Sequence, residues 1–284
     1  MTYIKRDLEE YLFYISTKFP VVTLTGPRQS GKSTLVRHVF SQKPYVSCED
    51  PDIQLFANQD PRGFLHTYTE AVIDEAQKVP EIFSYIQTLV DERDKPGQFV
   101  LTGSSDFLLF EKISQSLAGR TAVLNLLPFA LQEVHSIQAF EDYEDYLLTG
   151  FYPRIYKMDI PPGDFYPGYV KTYVERDVRS LKGISDLGKF QLFLKLCAGR
   201  IGQLLNLSSL ANECGISHTT AKSWISVLEA SFIVFLLRPH HASFNKRLVK
   251  MPKLYFYDPG LAAYLLGVRS KAQLQTHYAK GALF

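Results

Sequence analysis

VVTLTGPRQSGKSTL, residues 21–35, decides the fold. VVTLTG (Val21–Gly26) is a short unbroken apolar run rich in β-branched residues, as a strand buried on both faces requires. GPRQSGKS (Gly26–Ser33) then meets every fixed position of the spacing G-x-x-x-x-G-K-[ST], and SGKSTLVRHVF continues as a helix. Strand, glycine loop and helix in that order make an anion site. Gly26 and Gly31 permit the backbone to turn around a phosphate, and the N–H groups at the helix start favour negative charge. Lys32 is placed to reach β- and γ-phosphates as a point charge, and Ser33 to offer an oxygen to magnesium. Pro27, Arg28, Gln29 and Ser30, with Thr34 beyond, complete the expected nucleotide-binding set; Arg28 either faces the nucleotide or serves the loop's structure. The pattern predicts ATP, or a closely related nucleotide, with Mg2+.

AVIDEAQ (residues 71–77) supplies the second half of such a site. An apolar strand that ends in a carboxylate delivers it to the C-terminal edge of the sheet, beside the glycine loop. Asp74 is then the expected magnesium residue, and Glu75 the group that orients or deprotonates an attacking water. The plainer reading of an Asp-Glu pair is a helix start with acidic residues against its dipole, and the apolar lead-in argues against it. FVLTGSS (99–105) brings Thr102, Ser104 and Ser105 out at the same edge, with Thr102 first choice to meet the γ-phosphate or the water. A turn built of Gly103 and small hydroxyls is the alternative. Arg120, in LAGRTAVL, is a candidate for neutralising transition-state charge, in cis or across a subunit boundary of a homo-oligomer.

The bulk composition fits an ordinary globular chain: 284 residues, 46% apolar and 21% charged, long enough for two or three small domains. A net charge of +2 excludes a polybasic protein, so nucleic acid would need a local patch. Cys48, Cys197 and Cys214 form no CxxC or Cys/His cluster, which argues against zinc and a disulfide framework and for reduced thiols in the cytoplasm. MTYIKRDLEEYL is too charged for a signal peptide, and no run is apolar enough to span a membrane.

Along the chain, residues 1–19 read as an amphipathic helix with Leu8, Tyr11, Leu12 and Ile15 on one face, ended by Pro20. Further strands are expected at 45–48, 71–73, 99–102 and 121–126, with a helix over 80–93. Strands alternating with helices predict a parallel sheet covered on both faces through residue 135. The remainder divides into a helical lid and linker (136–187), a winged-helix-like segment (188–258) and the start of another domain (259–284). LSSLANECGISHTTAKSWISVLEASFIVFLL (207–237) has helix-turn-helix spacing, with Gly215 at the turn and a second helix over 218–229. Ile216, Ala221, Trp224, Ile225 and Leu228 give that helix an apolar face; Ser217, His218, Thr219, Lys222 and Ser223 point outward. One reading puts His218–Lys222 in a DNA groove, aided by Lys246, Arg247, Lys250 and Lys253. The other keeps the segment for packing, because its outward face is weakly basic. Alternating charges in YVERDVRSL (173–181) read as a solvated helix face, or as an ion-pair network coupling the two halves.

Taken in order, TLTGPRQSGKSTL (23–35), AVIDEAQKVP (71–80), LTGSSDFLL (101–109), SLAGRTAVLNLLPFALQEV (116–134), GFYPR (150–154), YVERDV (173–178) and KLYFYDPGLAAYLLG (253–267) resemble the bacterial and archaeal AAA-type ATPases with a long, poorly characterised C-terminal region. The resemblance covers nearly the whole chain. It implies a P-loop core with a sensor strand inserted between the Walker A and Walker B strands, then a helical part and a winged-helix-like part. It assigns Lys32, Ser33, Asp74 and Glu75 to nucleotide and magnesium, Thr102 to the sensor position, and Arg120 to a supporting role. Relatives of this kind continue into a region resembling a restriction-type nuclease fold, and GALF (281–284) corresponds to its beginning, as if the chain were cut there.

Overall fold

The protein is described by a computed structural model covering residues 3–104, 115–174, 186–240 and 251–284. Its contacts group into two compact units, Thr2–Leu127 and Pro128–Phe284.

The first unit is built on a five-stranded, all-parallel sheet in the order β2-β3-β4-β1-β5. The strands are β1 (Val21–Thr25), β2 (Tyr45–Ser47), β3 (Val72–Asp74), β4 (Phe99–Thr102) and β5 (Thr121–Asn125). β4 lies between β1 and β3, which is the inserted strand that the resemblance implies. Side chains alternate across a strand, so each strand feeds two cores. Val21, Ile73, Phe99 and Leu101 pack with helices α3 (Pro51–Gln59), α4 (Pro61–Thr67) and α5 (Ile82–Arg93). Val22, Leu24, Val72 and Val100 pack on the opposite face with α1 (Glu9–Ser16) and α2 (Lys32–Val39). Burying each such aliphatic side chain contributes about 1.5–3 kcal/mol. The sheet is therefore held from both sides, which explains why VVTLT is apolar without alternation. β5 is an edge strand with Val123 40% exposed, less buried than the other strands near β1.

One expectation changes here. The N-terminal helix begins only at Glu9, after an irregular segment that ends in a turn, and Tyr11 is exposed while Leu12 is buried, so the buried face is narrower than the periodicity implied.

In the second unit a single apolar cluster runs from Leu147 to Leu283 and includes Leu261, Ala262, Leu274 and Leu283 of the stretch 259–284. Its first helices are α6 (Leu131–His135), α7 (Tyr143–Thr149), α8 (Pro153–Met158) and α9 (Pro162–Tyr169). Three more follow, α10 (Leu187–Ala198), α11 (Leu207–Cys214) and α12 (His218–Ala230). An antiparallel ribbon of β6 (Val234–Leu237) and β7 (Lys253–Phe256) comes next, and Leu204 bridges Lys253 beside it. Gly215 turns the chain between α11 and α12, and Ala221, Trp224, Ile225 and Leu228 are buried as expected. Ser217, His218, Thr219, Lys222 and Ser223 are exposed. Lys246, Arg247, Lys250 and the charged run 175–179 lie outside the described residues.

The ribbon leads into α13 (Pro259–Leu265), capped by the carboxylate of Asp258. Asp258 is fully enclosed and accepts from the Tyr166 hydroxyl at 2.7 Å and from the N–H groups of Phe151 and Leu261, both at 2.6 Å. GFYPR and YFYDPG meet at this point. Gly150 has φ +73°, and a Cβ there would lie 1.9 Å from the Tyr166 oxygen, so only glycine fits.

Candidate functional site

β1, β3 and β4 all end at the same sheet edge, and the residues singled out from the sequence emerge there. The glycine loop leaves β1 through Gly26, where φ is +147° and a Cβ would come within 2.1 Å of the Leu126 carbonyl. Gly31, in the left-handed region at φ +95°, caps α2. Lys32 is the first residue of that helix and is buried; its Nζ donates to the carbonyls of Gly26 and Pro27 at 3.0 and 2.9 Å. The ammonium thus closes the loop on itself. Pro27 and Ser30 are buried, Arg28, Gln29, Gly31 and Ser33 partly buried, and Thr34, the third residue of α2, is exposed.

Asp74, the last residue of β3, is the hub. Its carboxylate accepts from Ser33 Oγ at 3.1 and 2.9 Å, from Tyr45 OH at 2.6 Å, and from Thr102 Oγ1. Walker A, Walker B and the inserted strand are thereby tied together through one carboxylate. Thr102 is fully buried, and its Oγ1 also accepts from the Glu75 N–H at 3.3 Å. Its hydroxyl donates to the aspartate in this structure. Glu75 follows with φ 55°, a left-handed conformation uncommon for a side-chain-bearing residue and one that turns the chain sharply after the strand. Its Oε2 accepts from Gln77 Nε2 at 2.5 Å and from Ser104 Oγ at 3.4 Å. Ser105 lies outside the described residues.

Arg120 does not join this group. It precedes β5, and its carbonyl accepts from the N–H of Val21, the first residue of β1, at 3.2 Å. The glycine loop follows the other end of β1, so a strand of five residues at about 3.3 Å each separates the two. The guanidinium is held by Asp91 instead, through Nε at 2.5 Å and Nη2 at 2.8 Å. A sequence pattern gives the distance along a chain, not the end of a strand at which a residue emerges.

Sequence reasoning missed Tyr45, Gln77 and Arg6. Tyr45 sits on β2 beside Asp74, with the Arg37 guanidinium 3.7 Å over its ring, and burial and the aspartate push its hydroxyl up to about 12, so it remains a donor. Arg6 is buried and donates to the Ser30 carbonyl at 2.7 Å. Nothing in local spacing marks these residues. Cys48 also lies close to the acidic pair; burial, then Asp74 and Glu75, push its thiol up to about 12, which makes it inert.

The donor set fits a magnesium-bound triphosphate. Buried Gln29 Oε1 and Ser30 Oγ have no partner within the protein, leaving polar capacity in the loop itself. Among the described residues no group of three or more His, Cys, Asp or Glu is positioned to hold a metal. The protein offers one carboxylate and one hydroxyl, as suits a hard cation that keeps waters and phosphate oxygens as its other ligands.

Comparison with known proteins agrees with this geometry. Residues 18–135 match the family model described as AAA domain, and residues 140–272 match a domain of unknown function (DUF8612). Uncharacterized proteins of Mycobacterium bovis and Mycobacterium tuberculosis are each 31% identical over 283 residues, covering 98% of this chain. The chain spans 63% of the length of these relatives. A Walker-type ATPase of Pyrococcus abyssi has the same fold, with a TM-score of 0.63 at 15% identity over 93% of this chain and 96% of that one. Residues 18–135 are thus similar to the AAA domain family, and the chain has the fold of a Walker-type ATPase.

Proposed function

We propose that this AAA-type protein binds ATP with Mg2+ and hydrolyses it, acting as a switch or motor whose nucleotide state bears on its C-terminal unit. The observation that carries the reading is the convergence of Ser33, Tyr45 and Thr102 on the Asp74 carboxylate beside Lys32. In this reading the loop Gly26–Ser33 and Thr34 bind the phosphates, and Lys32 leaves its two loop carbonyls for the β- and γ-oxygens. Ser33 and Asp74 hold the cation, which when bound would neutralise charge developing on the phosphate oxygens. Glu75 orients the attacking water and accepts its proton, while Thr102 fixes the Asp74–Glu75 turn. Arg120 enters only in trans, in a homo-oligomer, after release from Asp91. A cytoplasmic location accords with the three free, buried cysteines. The test is nucleotide binding and turnover in two variants. Lys32→Ala is expected to abolish binding, and Glu75→Gln to bind ATP without turning it over. Parent-like hydrolysis in both would refute the reading.

A second reading is a nucleotide-responsive DNA-binding module in which turnover is incidental. The helix-turn-helix of α11 and α12, its exposed His218, Thr219 and Lys222 and the ribbon behind it favour a winged-helix-like segment. DNA affinity measured with and without ATP at two salt concentrations separates the readings. Binding that is absent, or indifferent to salt, removes this one.

A further inference from the structure

We infer that Arg6 is a positioning residue for phosphate binding, acting through the Ser30–Gly31 peptide of the glycine loop. The inference rests on the ATP reading above and deepens it. Arg6 belongs to the irregular segment ahead of α1, far from the loop in sequence, yet it is 6% exposed. One arm of its guanidinium, Nη1, donates to the Ser30 carbonyl at 2.7 Å, and the other, Nη2, to the Leu127 carbonyl at 2.8 Å. Burying a guanidinium is costly, and such a group persists where its fork is satisfied by fixed acceptors.

The geometry of the peptide bond gives the contact its meaning. In a planar trans peptide the C=O of Ser30 and the N–H of Gly31 point in opposite directions. A carbonyl held on Arg6 therefore turns the Gly31 N–H away from Arg6, toward the hollow of the loop. That N–H belongs to the start of α2, whose first four N–H groups have no intrahelical acceptor and are the ones offered to an anion. Without Arg6, the Ser30–Gly31 peptide is free to rotate, and glycine at 31 does little to oppose it.

The second arm supplies the anchor. The loop begins hard against the end of β5, where the Leu126 N–H donates to the Thr25 carbonyl at 2.8 Å and the Leu126 carbonyl leaves no room for a Cβ on Gly26. Arg6 bolts the middle of the loop to the same strand end, at Leu127. Its own segment is fixed on α2, because Tyr3 stacks on His38 at 3.7 Å and Glu9 takes the Tyr3 hydroxyl at 2.8 Å. The His38 ring lies 3.5 Å from the other oxygen of Glu9. The N-terminal segment thus clips to the helix that follows the loop and delivers a cation to the loop's outer side.

The experiment measures ATP and ADP affinity by calorimetry on the full chain for Arg6→Gln and Arg6→Lys. Val90→Ala in α5, a core change remote from the loop, controls for lost stability, and all measurements are made where circular dichroism shows a folded protein. Arg6→Gln is expected to weaken both nucleotides at least about tenfold, the effect of misdirecting one charge-assisted hydrogen bond. Arg6→Lys, with a point charge in place of a fork, is expected to fall between, and it carries the test if Arg6→Gln does not fold. Val90→Ala is expected to lower the melting temperature and leave affinity unchanged. Parent-like affinity in the Arg6 variants, or an equal loss in Val90→Ala, would overturn the inference. A parent protein that bound neither nucleotide would overturn the ATP reading, and this inference with it.

Discussion

Ser33 Oγ lies within hydrogen-bond distance of both carboxylate oxygens of Asp74, at 3.1 and 2.9 Å, across a sequence separation of 41 residues. One carboxylate thus registers the Walker A helix against the Walker B strand before any ligand arrives. Asp74→Asn keeps the shape and removes the charge. It is expected to reduce magnesium-dependent hydrolysis by about 10²-fold or more while ATP binding in EDTA changes little. Hydrolysis rates across a magnesium titration, with binding measured in parallel, check this.

Tyr45 OH is the third donor to that carboxylate, and its loss should be felt in metal affinity. Tyr45→Phe preserves the ring beneath Arg37 and deletes the hydroxyl alone. The magnesium concentration for half-maximal hydrolysis is expected to rise about tenfold, the scale of one hydrogen bond to a charged group. An unchanged titration would make Tyr45 a packing residue.

Gln77 Nε2 holds Glu75 at 2.5 Å, and its own Oε1 is buried without a partner in the protein. Gln77→Leu leaves the carboxylate of Glu75 less fixed. Turnover is expected to fall about tenfold with ATP affinity unchanged, because the contact bears on water activation and not on phosphate binding. Separate measurement of kcat and of the nucleotide dissociation constant distinguishes the two effects.

Gly150→Ala would place a methyl group 1.9 Å from the Tyr166 oxygen and 2.7 Å from both Asp258 oxygens, at a φ of +73°. Overpacking and backbone strain add, and the second unit is expected to lose about 3 kcal/mol of stability. Urea unfolding followed by Trp224 fluorescence reads that unit, because Trp224 is the chain's one tryptophan and lies in its core.

Burial pushes the Asp258 carboxyl up from its ordinary 3.8 to about 6, despite three donors to its charged form. The folded state therefore binds the proton more tightly than the unfolded chain does. The stabilisation is fully present below the unfolded value and is lost as pH rises through about 6. This group is expected to make the second unit more stable on acidification from pH 7.5 to 5, within a limit of about 3 kcal/mol set by a shift of two units. Asp258→Asn should flatten that part of the stability–pH curve, as urea midpoints at several pH values will report.

Val21–Ser33 and AVIDEAQ determined, from sequence alone, that a parallel P-loop sheet exists and which residues reach its C-terminal edge. Both are local patterns: a strand leading into a glycine loop and helix, and a strand ending in a carboxylate, each carry their geometry within a few residues. The helix-turn-helix spacing around Gly215 was legible for the same reason. The tertiary structure decided what those residues do to one another. It committed Thr102 to Asp74, added Tyr45, Gln77 and Arg6, and set Arg120 at the far end of β1 on Asp91. It also drew residues 259–284 into the same core as Trp224. All of these contacts but that of Gln77 join residues 24 or more positions apart, and no periodicity records them. They are fixed by which strands pair and by which helix face finds an apolar partner, and those are properties of the folded whole.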